Sequence, residues 1–275
     1  MMKKSLIALA LLCALNFVSW QTFFYLRDDN LRVVFFDVGQ GDAVFIKTPQ
    51  NHHILIDGGS GDVVLEKLEK ELPFFYKSID LVILSHAHDD HVAGLIEVVE
   101  RYDVDNIICT GVLGSSAVSG RWRSIIEERG YHQARAGQIV SANNFYIETL
   151  YPVENLKDRE VNDLNEASVI SYLVFKDNHR FIFTGDAYKA QEREVVSSRE
   201  GTIRADVLKV GHHGSRTSTS GDFLREVSPR VAVIMAGKDN RYGHPHRETL
   251  EKLEDFGVKI MRTDRDGDII FEISS

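Results

Sequence analysis

Leu81-Val82-Ile83-Leu84-Ser85-His86-Ala87-His88-Asp89-Asp90-His91 is the stretch on which the fold turns. Four apolar residues of a buried-type strand run directly into three histidines and two aspartates. His86, His88 and Asp90 recur at period two, and in an extended segment alternate side chains point the same way, so the three can converge on one point. His91 faces a neighbouring point once the chain turns into the next helix, expected over residues 92–102. Two imidazoles with a carboxylate and a third imidazole beside them suit a pair of divalent ions. An aspartate here could also cap that helix. Capping is compatible with metal binding but leaves three histidines within six residues unexplained.

Working outward, the same design recurs. Leu55-Ile56-Asp57-Gly58-Gly59 ends an apolar run in an aspartate, as does Phe181-Ile182-Phe183-Thr184-Gly185-Asp186. Val207-Leu208-Lys209-Val210-Gly211-His212-His213-Gly214-Ser215 ends in a histidine pair. Taken singly, an aspartate after a strand orders a turn. Four such junctions are more specific, because α/β folds gather functional groups at the ends of their strands. Further strands are expected at 32–37, 43–47, 106–110, 145–151, 169–175, 231–235, 259–262 and 268–273. Helical spacing falls at 63–72, 188–197, 221–227 and 246–256. Strands alternating with helices predict an α/β layered fold.

The chain has 275 residues, 43% of them apolar, and five prolines with no linker-like stretch, which predicts one catalytic domain. A formal charge of −9 argues against a broad basic surface that neutralises many phosphates. A phosphodiester substrate stays open, since bound metal ions supply local positive charge. Arg121-Trp122-Arg123, Arg225 and Arg230 read as parts of a solvated face. With Cys13 and Cys109 alone, no disulfide framework or cysteine zinc site can form, and Cys109 reads as a buried thiol. Met1-Met2-Lys3-Lys4 precedes a predominantly apolar run, Ser5 to Leu26, long enough to span a bilayer once. Residues 1–27 are therefore expected to be an uncleaved signal-anchor, or in second place a cleaved signal peptide. Residues 28–275 are expected to form the single catalytic domain. Lysines on the cytoplasmic side place that domain outside the cytoplasm, in the periplasm or at the cell surface.

The order Asp57, His86-x-His88-x-Asp90-His91, Asp186 and a later histidine resembles the metallo-β-lactamase superfamily. Phe36-Asp37-Val38-Gly39-Gln40-Gly41-Asp42-Ala43, Lys209 to Ser215, Asn240-x-Tyr242-Gly243-His244-Pro245 and Arg262-Thr263-Asp264-x-Asp266-Gly267 are similar to the hydrolase domain of the ComEC-type competence DNA-uptake proteins. The resemblance covers residues 32–273. It implies a four-layer αββα sandwich with the metal site at one edge of the two facing sheets. It further implies two divalent ions, zinc or manganese foremost. His86, His88 and Asp186 would hold the first; Asp90, His91, Asp186 and one of the histidine pair, His213 in preference, would hold the second. Asp57 would orient the site, and His212 would contact phosphate.

Two departures matter. The histidine that many relatives carry between the main run and Asp186 is absent, and Asn165-Glu166-Ala167-Ser168 stands in its place. Asn165 is then a weak ligand, a water-held contact or a substrate contact. ComEC-type proteins also carry a polytopic membrane region, whereas this chain offers one candidate span, as a stand-alone relative of the hydrolase module would. The expected activity is that of a phosphodiesterase or nuclease on DNA or smaller phosphodiesters. A two-metal-activated hydroxide would attack phosphorus while His212 or His244 binds non-bridging oxygens. Lys209 is either a surface lysine with a buried stem or a phosphate partner. The competing reading is a lactone, lactam or thioester hydrolase on the same fold. A non-catalytic module is disfavoured by the complete ligand set.

Overall fold

In the computed structural model, residues 2–26, 29–156, 161–199, 201 and 203–274 are described. Helix α1 (Met2–Leu26) contains a stretch, Lys3–Trp20, of mean hydropathy 1.4, long and apolar enough to cross a membrane by length and composition. The strands and helices that follow are β1 (Leu31–Phe35), β2 (Val44–Lys47), β3 (His53–Ile56), α2 (Val63–Glu71), β4 (Ser78–Ile83), α3 (Asp89–Arg101), β5 (Asp103–Cys109), α4 (Ala117–Arg129) and β6 (His132–Gln133). The second half comprises β7 (Ile139–Ala142), β8 (Phe145–Tyr151), β9 (Ile170–Phe175), β10 (His179–Phe183), α5 (Lys189–Ser198), β11 (Val207–Lys209), α6 (Gly221–Val227), β12 (Val231–Ile234), α7 (Arg247–Asp255), β13 (Lys259–Arg262) and β14 (Ile269–Ile273).

Two seven-stranded sheets result, ordered β14-β1-β2-β3-β4-β5-β6 and β13-β12-β11-β10-β9-β8-β7. The period-two alternation of each strand divides its apolar residues between two layers. Leu31, Val33 and Phe35 of β1 join Phe181 and Phe183 of β10 in a core between the sheets. Val34 and Phe36 turn the other way, into a core shared with Leu68 of α2 and Leu95 of α3. Ile182 and Leu208 face outward from the second sheet, onto Val195 of α5, Phe223 of α6 and Leu253 of α7. Three cores separating four layers make the αββα sandwich.

Each sheet is parallel over one half: β3 to β6 in the first and β10 to β13 in the second. The C-terminal ends of β3, β4, β10 and β11 therefore deliver Asp57, His86, Asp186 and the His212–His213 pair. Helix α3 is clamped to the turn after β3 by Gly58 N–H donating to His91 O (2.8 Å) and Gly94 N–H donating to Gly59 O (3.0 Å). The backbones approach so closely that a Cβ on Gly94 would lie 1.8 Å from Gly58 O, so only glycine fits.

Three expectations need correction. Helix α3 begins at Asp89 rather than at residue 92, with His88 in extended backbone (φ −73°, ψ 147°) as its N-cap. Asp90 thus belongs to the first helical turn, and the strand's period two does not bring it to His86. Helix α4 was not anticipated: it buries only Ser119, Trp122 and Ile126 in an otherwise polar segment, too narrow a stripe to read. Its Trp122 is wholly buried, while Arg121 pairs with Glu100 on the surface. Strand β7 is an exposed edge that pairs only with β8, so it lacks apolar alternation. Cys109 is buried, and burial pushes its thiol up to about 12.

A candidate metal centre at the strand ends

Asp57 follows β3 in a left-handed conformation (φ 58°) and is buried. Its Oδ1 accepts from Ser85 N–H at 2.7 Å, and its Oδ2 from Ser85 Oγ at 2.6 Å and from His91 Nδ1 at 2.9 Å. With Nδ1 committed as donor, His91 turns Nε2 toward Asp186 Oδ2, 3.5 Å away. His213 is set in the same way from the other sheet. Its Nδ1 donates to Met235 O at 2.8 Å, which leaves Nε2 facing Asp186 Oδ2 (3.3 Å) and Asp90 Oδ2 (3.6 Å).

Asp186 is the hub. Its Oδ2 also lies 4.0 Å from His86 Nε2 and 3.8 Å from His212 Nε2. Beside it, His86 Nε2 and His88 Nδ1 are 3.0 Å apart. Consecutive left-handed residues, His212 (φ 49°) and His213 (φ 54°), splay the pair. His213 enters the buried cluster, whereas His212 stays at the rim against Tyr188 and His244, with ring centroids 5.7 and 5.4 Å away. The structure thus brings together His86, His88, Asp90, His91, Asp186 and His213, with Asp57 beneath them. His212, His244 and Asn165 border a cleft of about 1310 Å³ that opens over the cluster.

This donor set fits divalent cations. Ligand atoms of His86, His91 and Asp186, and of Asp90, His91 and His213, lie within 4.8 Å of one another. Among the described residues, buried Nε2 of His91, Nε2 of His213 and Oδ1 of Asp186 have no hydrogen-bond partner, the costly situation that a cation relieves. Charge is balanced accordingly. Burial alone would push His91 and His213 down, but Asp186, with Asp57 or Asp42, holds both well above their ordinary value. Burial would raise Asp186, and the two histidines instead hold it well below the usual carboxylate range. His86 is kept well below its usual value by burial and by His91. His244 is pushed down to about 4 by burial and by His213 and His212.

Sequence reasoning missed Asp42 and misread Lys209. Lys209 is neither a surface lysine nor a phosphate partner: it is buried, ion-paired with Asp42, and donates to Gly185 O at 2.7 Å. Asp42 also stands 3.3 Å from His213 Nδ1. Asp42 lies within the Phe36–Ala43 motif that carries the family resemblance, but between a glycine and an apolar strand it reads as an ordinary turn residue without a role. Asp163, in the cleft wall 3.9 Å from His88 Nε2, and Tyr188, against His212, carried no signal at all.

Sandwich and clustered histidine and aspartate donors at the strand ends together define a fold with a candidate metal centre. Residues 36–238 match the metallo-beta-lactamase superfamily, and the chain belongs to it. Among curated proteins it is 31% identical to ComE operon protein 3 of Bacillus subtilis, over 85% of this chain and 32% of that protein. It is 29% identical to competence protein ComA of Neisseria gonorrhoeae, over 89% of this chain and 32% of that protein. The chain thus spans about a third of the length of these relatives. Among solved structures, Igni18, a metallo hydrolase of Ignicoccus hospitalis, superposes with a TM-score of 0.57 at 17% identity, covering 89% of this chain and all of Igni18. A diphosphatase of the PhnP family gives 0.51 at 14% identity, covering 90% of this chain and all of that one. Both share the fold.

Proposed function

We propose that this chain is a two-metal phosphodiesterase, acting on DNA or smaller phosphodiesters outside the cytoplasm from an N-terminal membrane anchor. The observation that carries the reading is the pairing of His212 with His244 at the cleft mouth, above the buried cluster. Burial holds both imidazoles below their ordinary value, so at pH 7 they are neutral rings that can offer N–H to an anionic phosphoryl oxygen. The similarity to proteins named for competence supports a nucleic-acid substrate.

His86, His88 and Asp186 would hold one ion, and Asp90, His91 and His213, with Asp186, the other. Zinc or manganese suits these ligands. Bound ions would supply an activated water and neutralise the charge that builds as an ester bond breaks. Asp57 holds His91 with its Nε2 toward the cluster, and Lys209 with Asp42 supports that cluster from below. Lys3 and Lys4, ahead of the apolar stretch of α1, favour an extracytoplasmic domain.

The full-length chain is expected to cleave bis(p-nitrophenyl) phosphate or plasmid DNA with Mn²⁺ or Zn²⁺, and EDTA or Asp186→Ala should abolish cleavage. Hydrolysis of a lactone or nitrocefin with neither phosphodiester touched would sink the reading in favour of the competing ester or lactam chemistry. A C-terminal fusion to a reporter active only outside the cytoplasm tests the anchor, and a cytoplasm-active reporter would refute it.

A further inference from the structure

Asn165 lies on a single turn, Leu164–Ala167, in the wall of the cleft, and its side chain is buried. The hydrogen bonds around it allow one direction only. Tyr188 Oη stands 2.8 Å from Asp163 Oδ2, and a carboxylate can only accept, so the tyrosine donates to it. The tyrosine oxygen is then left as an acceptor toward the amide of Asn165 at 3.0 Å. Asn165 must therefore turn its NH₂ group to Tyr188, which fixes the amide orientation by chemistry. Asp163 is itself pinned, its Oδ1 accepting from Asn165 N–H at 3.0 Å. The remaining atom, Asn165 Oδ1, is buried and has no hydrogen-bond partner among the described residues.

An acceptor so placed cannot meet the non-bridging oxygens of a phosphodiester, which are acceptors too. A cation suits it. The turn is tied to the cluster at several points: Val169 N–H donates to Ser85 O (2.9 Å) and Asp186 N–H to Ser168 Oγ (3.2 Å). Asp163 Oδ1 stands 3.9 Å from His88 Nε2, across the ring from the Nδ1 that meets His86. Such outer carboxylates commonly orient a ligating histidine.

We propose that Asn165 Oδ1 is an oxygen ligand to the ion held by His86, His88 and Asp186, and that Tyr188 and Asp163 are positioning residues that lock the amide in that role. Of the roles the sequence left open, hydrogen-bond direction removes contact with a phosphodiester's acceptor oxygens, and the titration below separates a direct ligand from a water-held contact. The proposal rests on the metal-hydrolase reading and not on the identity of the substrate.

Co²⁺ is the probe: the full-length chain in detergent micelles is stripped of metal and titrated while its visible absorption is followed. The natural chain is expected to bind two ions. Asn165→Ala should weaken the ion held by His86, His88 and Asp186 by roughly 10- to 100-fold, and Tyr188→Phe by about 10-fold, since the groups that hold and orient metal ligands act on this scale. Asn165→Asp, which retains an oxygen, should restore two-ion binding with shifted absorption bands, and circular dichroism of the metal-free variants reports folding separately. Unchanged affinity and spectrum in Asn165→Ala overturn the ligand, and in Tyr188→Phe they overturn the lock. A natural chain that binds no Co²⁺ overturns both this proposal and the metal reading. Failure to cleave phosphodiesters alters neither titration.

Discussion

Lys209 and Asp42 form a buried ion pair beneath the histidine cluster, with Lys209 Nζ also 3.6 Å from Asp186 Oδ1. Burial would lower the lysine, and the two carboxylates more than reverse that. Lys209 supplies one fixed positive charge among the site's four aspartates, Asp42, Asp57, Asp90 and Asp186. Lys209→Met would strand Asp42 as a buried, unpaired charge, and the expected cost is about 3–5 kcal/mol in urea unfolding of the metal-free protein. Lys209→Met combined with Asp42→Leu should recover much of it. A single variant as stable as the natural chain would show that Asp42 is not held as a charge.

Asp57 acts at one remove from the cluster, through His91 Nδ1. Asp57→Ala is expected to reduce affinity for divalent metal by about 10- to 100-fold, because His91 loses the partner that keeps Nε2 aimed at Asp186. Isothermal titration with Zn²⁺ measures it, and an unchanged isotherm contradicts the role.

Gly94→Ala should damage fold and site together. The added methyl would collide with Gly58 O and drive α3, which carries Asp90 and His91, off the β3 turn. A loss of at least about 3 kcal/mol is expected, at the top of the usual overpacking range. Chemical denaturation checks it, and a change below 1 kcal/mol would mean the turn gives way easily.

His53 supplies a pH dependence far from the cluster. It is packed against Phe45 and Tyr76, and burial, partly countered by Asp80, pushes it down to about 4. The unfolded chain, with an ordinary value near 6.5, then binds the proton more tightly than the folded one. Stability from a neutral His53 is complete above pH 6.5 and is lost as pH falls toward 4, by about 3 kcal/mol in all. Unfolding free energies of the natural chain should fall more steeply over that window than those of His53→Leu; parallel curves would remove His53 as the cause.

Chelation should lower the melting temperature. Metal at 100 times its Kd adds about 2.7 kcal/mol, which for a domain of this size is roughly 5–10 °C. EDTA against excess Mn²⁺ in a calorimeter reads the difference.

Much of the architecture was legible because its signals are local. Apolar runs ending in Asp57, His86, Asp186 and His212-His213 announced strands and their functional ends, and the four-layer sandwich was implied by the resemblance to the metallo-β-lactamase superfamily. Helix α4 and strand β7 were not legible: one buries a thin stripe around Trp122, the other almost nothing. The start of α3 was misplaced because His88 is extended like the strand before it, and only the next residue turns helical.

His86 through His91 by themselves determined that donors crowd one strand end, since spacing along one chain is local. Tertiary structure decided which atom of each donor is free. His91 is aimed by Asp57 and His213 by Met235 O, each from a segment remote in sequence. Lys209 is a buried counter-ion only because Asp42 arrives opposite it, and Asn165 presents oxygen only because Tyr188, held by Asp163, claims its NH₂ group. A side chain's type is written in the sequence, whereas its burial and the direction of its hydrogen bonds belong to whatever partner folding brings against it.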